Sequence, residues 1–286
     1  MKRLAWVAVV VALSTTTNAQ WLKFVPPGTP RTPDGKPNLA APTPLTADKR
    51  PDLSGVWMHE QTSVAEMKTL FGARIDEELK VDVPGMELGT VHKYAISLLA
   101  DFKIDQPPMR PEGFAQWKKN LGASDPANVC VGVPSFTLAG FLSEPIKIVQ
   151  APRMTMVMYE AGNMHRQIYS DGRMLPATYE FPAFLGYSIG RWEGDVFVVE
   201  TAGFNGRAQL DILEHPSSEA LKMTERFRRR DFGHLDMEVT FDDPTMYTRP
   251  LTIKVPHTLM ADGDIFESFC ENEKDRVHLE NAKSKP

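Results

Sequence analysis

From residue 145 onward the chain is a succession of short apolar stretches, each closed by a turn signal. "PIKIVQ", "RMTMVMYE", "MHRQIYS", "GYSIGRWE", "DVFVVETA", "LKMTERFRRRD", "HLDMEVTFDD", "RPLTIKVP" and "DIFESFCE" follow one another, separated by such stretches as Ala-Gly-Asn, Ser-Asp-Gly-Arg, Glu-Gly-Asp and Asp-Asp-Pro. Short runs rich in β-branched residues and bounded by Gly, Asp and Pro are strands. The period is two in places: Leu235, Met237, Val239 and Phe241 alternate with Asp236, Glu238, Thr240 and Asp242, and Leu251, Ile253 and Val255 alternate with Thr252 and Lys254. Eight or nine consecutive antiparallel strands with tight turns curl, and closure removes their unpaired edges. The expected fold is therefore mainly β, an antiparallel up-and-down barrel with one to three short helices in the N-terminal third.

The rest of the chain is organised differently. Lys2 and Arg3, an apolar run over residues 4–13 and Thr17-Asn18-Ala19 have the three parts of a secretory signal over residues 1–19. Residues 20–51 are rich in proline, which disfavours helix and favours extended chain, so they form a linker or a strap on the domain surface. They also carry an echo: "PRTPDGKPNL" at 30–39 recurs as "PLTADKRPDL" at 44–53. A single barrel domain is expected over 52–286, with a helical insertion at about 64–122. Its clearest helix is 111–121, which opens with Pro and Glu and puts Phe114, Trp117 and Leu121 on one face.

Without residues 1–19 the chain carries 30 Lys and Arg against 37 Asp and Glu, a net charge of −7. That disfavours nucleic acid and anionic membranes as partners, and an exported chain with this composition is expected in the periplasm or outside the cell, with no membrane insertion after cleavage. The two cysteines, Cys130 and Cys270, are expected to form a disulfide in that oxidising setting. Closing so long a loop stabilises by about 4–5 kcal/mol in the chain-entropy model.

One motif invites a catalytic reading. Gly186-Tyr187-Ser188-Ile189-Gly190 spells G-x-S-x-G, the nucleophile elbow of serine hydrolases. The elbow needs a helix directly after the serine, yet Gly194-Asp195 makes a hairpin turn and Val196 to Val199 a strand. Ser188 is read as a strand residue. No His, Cys or acid spacing names a metal site, and no cofactor is expected.

Other groups are better placed for chemistry. Asp211 and His215 lie in the polar loop "LDILEHPSSE", where the carboxylate could orient the imidazole for proton transfer. Glu200 shares the phase of Val196 and Val198, so it must be ion-paired or carry a raised pKa; Arg166, Arg173 and Arg226 are its candidate partners. His165 is a further acid–base candidate. In "TERFRRRDF", Arg226, Arg228 and Arg230 share one strand face, either solvated and paired with the acids of the next strand or forming a clamp for a carboxylate. Arg166, Arg173, Tyr187, Trp192 and Arg226 are the candidate ligand contacts.

"PDLSGVW", "YEAGNMHRQIYSDGR", "GYSIGRWEGDVFVVETAGFN", "HPSSEALKMTERFRRRD" and "EVTFDDPTMYTRP" together resemble a family of secreted bacterial proteins whose members are expected to be lipocalin-like or calycin-like barrels. The likeness runs from about residue 51 to 271. Gly55-Val56-Trp57 also resembles the lipocalin opening, where the tryptophan closes the barrel base. The chain departs from the family pattern at Leu175, where a histidine is expected, and at Phe184, where a tryptophan is expected; both changes imply a more apolar ligand. Fourteen methionines, several of them in strands, suit an adaptable apolar lining.

The expected function is an exported small-molecule-binding barrel with an internal cavity for an apolar or aromatic ligand. The alternative is a cofactor-independent isomerase, lyase or hydrolase using His215, Asp211, Glu200 and His165 in the same cavity.

Overall fold

Nine strands close into one barrel, neighbour to neighbour in chain order: β1 Gly55–His59, β2 Ile146–Ala151, β3 Met154–Tyr159, β4 Met164–Tyr169, β5 Tyr187–Glu193, β6 Val196–Ala202, β7 Lys222–Arg229, β8 His234–Asp242 and β9 Leu251–Leu259. This computed structural model describes residues 25–72, 91–103, 105–121, 145–160, 163–211 and 213–266. Three helices precede β2 among these residues: α1 Val64–Phe71, α2 Lys93–Ile96 and α3 Pro111–Asn120. Residues 1–19 and both cysteines, Cys130 and Cys270, lie outside the described residues.

The barrel is not wholly up-and-down. β4 and β5 run parallel, while every other neighbouring pair, including β1 with β9, is antiparallel. Parity requires this. Nine strands that alternated throughout would leave β1 and β9 running the same way, so antiparallel closure needs one parallel junction elsewhere. A parallel junction in turn needs a crossover, and residues 170–186 carry the chain from the base of β4 back to the mouth where β5 begins. The seam is the shortest ladder in the barrel, with only Ile168↔Ser188 and Tyr169↔Ile189 in register. The crossover is fastened outside: Tyr179 stacks on Tyr187 with ring centroids 5.5 Å apart, and the Tyr187 hydroxyl donates to the Phe181 carbonyl at 2.6 Å.

Alternation decides what fills the interior. Leu235, Met237, Val239 and Phe241 of β8 and Leu251, Ile253 and Val255 of β9 are buried, and they meet Phe197 and Val199 of β6 and Phe227 of β7 in one core. At the base, Trp57 is fully buried, donates from Nε1 to the Leu53 carbonyl at 3.0 Å, and lies under the Arg229 guanidinium at 4.9 Å from its centroid. Arg229 spends its other donors on backbone carbonyls, including those of Asp52, Ser54 and Phe232. At the mouth, the buried segment Val91 to Leu99, Met67 and Tyr247 form the cover.

The sequence echo becomes two equivalent turns in a strap across the base. Thr32 N–H bonds the Lys36 carbonyl at 2.9 Å as Thr46 N–H bonds that of Arg50 at 2.8 Å, and each threonine hydroxyl bonds the aspartate two residues on at 2.5 Å. Gly35 and Lys49 occupy the same left-handed position, at φ 82° and 61°. Between the turns, the Leu39 and Ala41 carbonyls receive the N–H groups of Gly233 and Phe232.

Both glycines of the G-x-S-x-G stretch have steric roles. A Cβ at Gly190 would lie 2.3 Å from Phe197 Cζ, and Gly186 sits at φ 61° with its missing Cβ 2.8 Å from the Ala202 carbonyl oxygen. No helix follows Ser188, which lies in β5 facing the interior and shares a 2.9 Å hydrogen bond with the Thr201 hydroxyl. The first glycine lets the crossover enter the strand and the second makes room for a core phenylalanine. Gly190→Ala should therefore cost about 1–3 kcal/mol by overpacking, measured as a lowered urea midpoint with unchanged m.

Three histidines gather beneath the cover. His59 and His257 are cross-strand partners in β1 and β9, and the His92 ring, at the N-cap of α2, stands edge-on to His59 at 6.0 Å. Burial, then the proximity of His59, His257 and Lys93, depress the His92 pKa to about 3, against the charge of Asp101. The folded state thus resists the proton that the unfolded chain accepts near pH 6.5. The stability this provides is complete above about pH 6.5 and is lost as pH falls towards 3, by about 1.4 kcal/mol per pH unit. His92→Asn, which retains a cap acceptor, should flatten the urea midpoint between pH 6.5 and 4 by the equivalent of one proton.

Candidate functional site

β4 carries an outward imidazole and an inward guanidinium side by side. Its phase puts His165 outside, Arg166 inside, Gln167 outside and Ile168 inside. Arg166 is 3 % exposed and crosses the interior to Glu225 of β7, itself 1 % exposed. Nη1 donates to Glu225 Oε1 at 3.1 Å and to the Tyr159 hydroxyl at 3.3 Å, and Nη2 donates to Glu225 Oε2. Burial works against the guanidinium charge, but Glu225 and Tyr159 outweigh it and raise the Arg166 pKa. Burial and the Glu225 charge push the Tyr159 phenol up to about 12, against Arg166. Arg166 Nε is buried and has no acceptor among the described residues.

The wall beside Arg166 is open. Beyond the two-residue seam, the start of β4, the start of the crossover and the entry to β5 border a cleft of about 380 Å³. Its lining joins His165, Arg166, Arg173 and Tyr187 to an apolar set that includes Leu175 and Leu185. Ser188 lines it too, as does Gly186, whose conformation shapes the entry. Arg173 is pre-positioned on the rim: Nε bonds Asp171 Oδ1 at 2.9 Å, and the guanidinium carbon lies 3.7 Å from the Tyr169 ring centroid.

A second cluster lies in the β6–β7 connection. Asp211 and His215 are 1 % and 4 % exposed, with His215 Nδ1 2.5 Å from Asp211 Oδ2. The same oxygen accepts the Leu98 N–H at 2.7 Å, and Oδ1 accepts the His215 N–H at 3.2 Å. A carboxylate on Nδ1 assigns the ring proton to that nitrogen and leaves the lone pair on Nε2. α3 clamps the loop: the Trp117 ring stacks on His215 at 5.1 Å, its Nε1 donates to the Leu213 carbonyl at 2.6 Å, and Asn120 Nδ2 donates to the Glu214 carbonyl at 3.0 Å. Glu214 is held at φ 63°, and its Oε2 is buried with no partner among the described residues.

The structure therefore distributes the sequence candidates. His165, Arg166, Arg173 and Tyr187 share the cleft; Asp211 and His215 form a pair of their own. Glu200 stands on the outer face of β6, half-exposed, and pairs with Arg191 at 3.0 Å rather than with Arg166, Arg173 or Arg226. β6 is buried on both faces at Phe197, Val198 and Val199, so sharing a phase with Val198 does not place Glu200 inside. Arg226 lies outside and pairs with Glu193 at 3.1 Å, and Trp192 packs on Phe197 and under Arg50. Of the arginine run, Arg228 and Arg230 pair with Asp195 and Asp236 on the solvated face, and Arg229 is the inward one.

Glu225 escapes the sequence reading although it sits in phase with Met223 and Phe227. That pattern, an acid on the apolar side of a strand polar on its other face, was the available signal. The histidine cluster has no signal in spacing. Among the described residues no group of three or more His, Cys, Asp or Glu is placed to hold a metal ion.

No family model, curated protein or solved structure matches the chain. Function is accordingly argued from the clefts and clusters themselves.

Breaking the interior ion pair should be severe. Arg166→Leu strands the Glu225 carboxylate and should cost about 3–5 kcal/mol, whereas Arg166→Leu with Glu225→Leu removes both charges and should recover most of that loss. Chemical denaturation of the two variants checks it.

Proposed function

We propose that this is an exported, lipocalin-like β-barrel protein, periplasmic or secreted, that binds a small apolar or aromatic molecule in the seam cleft between β4 and β5. The carrying observation is the buried Arg166 lining that cleft with an unused Nε–H. Pockets for small ligands combine an apolar body with a few placed polar groups and occupy roughly 300–1,000 Å³, and the cleft has that size and composition. The ligand is assigned to the wall rather than the lumen because Phe197, Phe227, Phe241 and Trp57 fill the interior. Trp57 covered by Arg229, which also bonds the chain entering β1, supports the lipocalin-like type.

A second reading is favoured by one specific observation, the buried Asp211–His215 pair with its lone pair directed to Nε2. In that reading the protein is a cofactor-independent enzyme in which Nε2 takes a proton from substrate or water while Asp211 stabilises the resulting imidazolium. His215→Ala would then abolish turnover, while Leu185→Trp would not.

For the binding reading, protein purified from its original host should carry a small molecule detectable by native mass spectrometry. Leu185→Trp, which places an indole in the cleft, should lose that molecule while keeping the wild-type circular dichroism spectrum. Equal occupancy in the variant would remove the cleft from the proposal.

A further inference from the structure

Resting on the cleft reading, we infer that its ligand is a carboxylate: a small molecule with an apolar or aromatic body and an anionic head received by Arg166 and Arg173. The chemistry of the guanidinium carries this. A guanidinium has two edges able to grip a carboxylate, one formed by Nη1 and Nη2 and one by Nε and Nη2. Glu225 holds the first edge of Arg166 in a two-point contact. On the second edge the Nε–H has no acceptor among the described residues, although the residue is 97 % buried. An unmet buried donor carries a desolvation penalty, and an acceptor arriving from the cleft removes it.

The rest of the lining agrees in sign. Arg173 lines the cleft with Arg166, and no Asp or Glu lines it among the described residues. Asp171, which fixes the Arg173 side chain, and Glu225, which fixes that of Arg166, both lie outside the lining. Each acid therefore fixes its arginine without itself contacting a ligand in the cleft. Leu175, Pro176 and Leu185 offer the apolar body its contact. An amide or alcohol head could accept one hydrogen bond but would gain less from two guanidinium groups than a carboxylate would.

The test uses matched pairs of arylalkyl carboxylates and their carboxamides, titrated calorimetrically into the full-length mature protein at pH 7.5. Each carboxylate should bind at least about tenfold more tightly than its amide, a difference of about 1.4 kcal/mol, and the preference should shrink as salt rises. Arg173→Ala should lower carboxylate affinity towards that of the amide and leave amide affinity unchanged. Arg166→Lys keeps a cation opposite Glu225 and removes the Nε–H, so it should do the same; if it does not fold, Arg173→Ala alone decides. Equal binding of acids and amides, both lost in Leu185→Trp, would overturn the carboxylate and keep the cleft. Carboxylate binding untouched by Leu185→Trp and Arg173→Ala, or no binding by any probe, would overturn both.

Discussion

A ring of nine strands cannot alternate all the way round, and much of this structure follows from where the exception falls. Had the parallel contact formed between β1 and β9, every connection could have been a hairpin. It falls instead between β4 and β5, which demands a long crossover, shortens one ladder to two pairs and opens the wall there. Gly186 at positive φ, the Tyr179–Tyr187 stack and the cleft are consequences of that single junction. The shortest ladder of the barrel thus adjoins the strand that carries the buried Arg166.

The interior is itself unusual in combining a tight aromatic core with charge. Arg166, Glu225 and Tyr159 form a buried hydrogen-bonded group, and buried pairs of this kind rarely add stability over an apolar replacement. Their value is better sought in orientation. Glu225 fixes the plane of the guanidinium and decides which edge remains for another partner. The Asp211–His215 pair follows the same rule in a different part of the molecule, a buried acid fixing the ring of its neighbour while Trp117 holds it from the other side.

Much of the fold is legible in the sequence. Alternation in β8 and β9 is plain because one face meets the core and the other meets water, and both stretches face as their pattern says. Strand direction is not legible: alternation is identical whichever way a neighbour runs, so Ser170 to Arg173 reads as a hairpin turn when it begins a crossover. Glu200 misleads because β6 is apolar on both faces, which erases the phase that identifies an inward acid. Glu225 carries that phase cleanly between Met223 and Phe227. Asp211 and His215 are legible as a pair because they lie four positions apart in one loop. His59, His92 and His257 are not, since they are brought together only by barrel closure and the mouth cover.

Each of the two turns of the strap closes its own hydrogen bonds, from threonine to the residue four further on, and the second repeats the first fourteen residues later. Neither turn borrows those bonds from the barrel; the barrel is met through other atoms, among them the Leu39 and Ala41 carbonyls, Thr43, the Arg50 guanidinium over Trp192 and the Pro51 carbonyl. A change confined to one turn therefore leaves the internal hydrogen bonds of the other in place, so the strap can lose one turn's geometry without losing both.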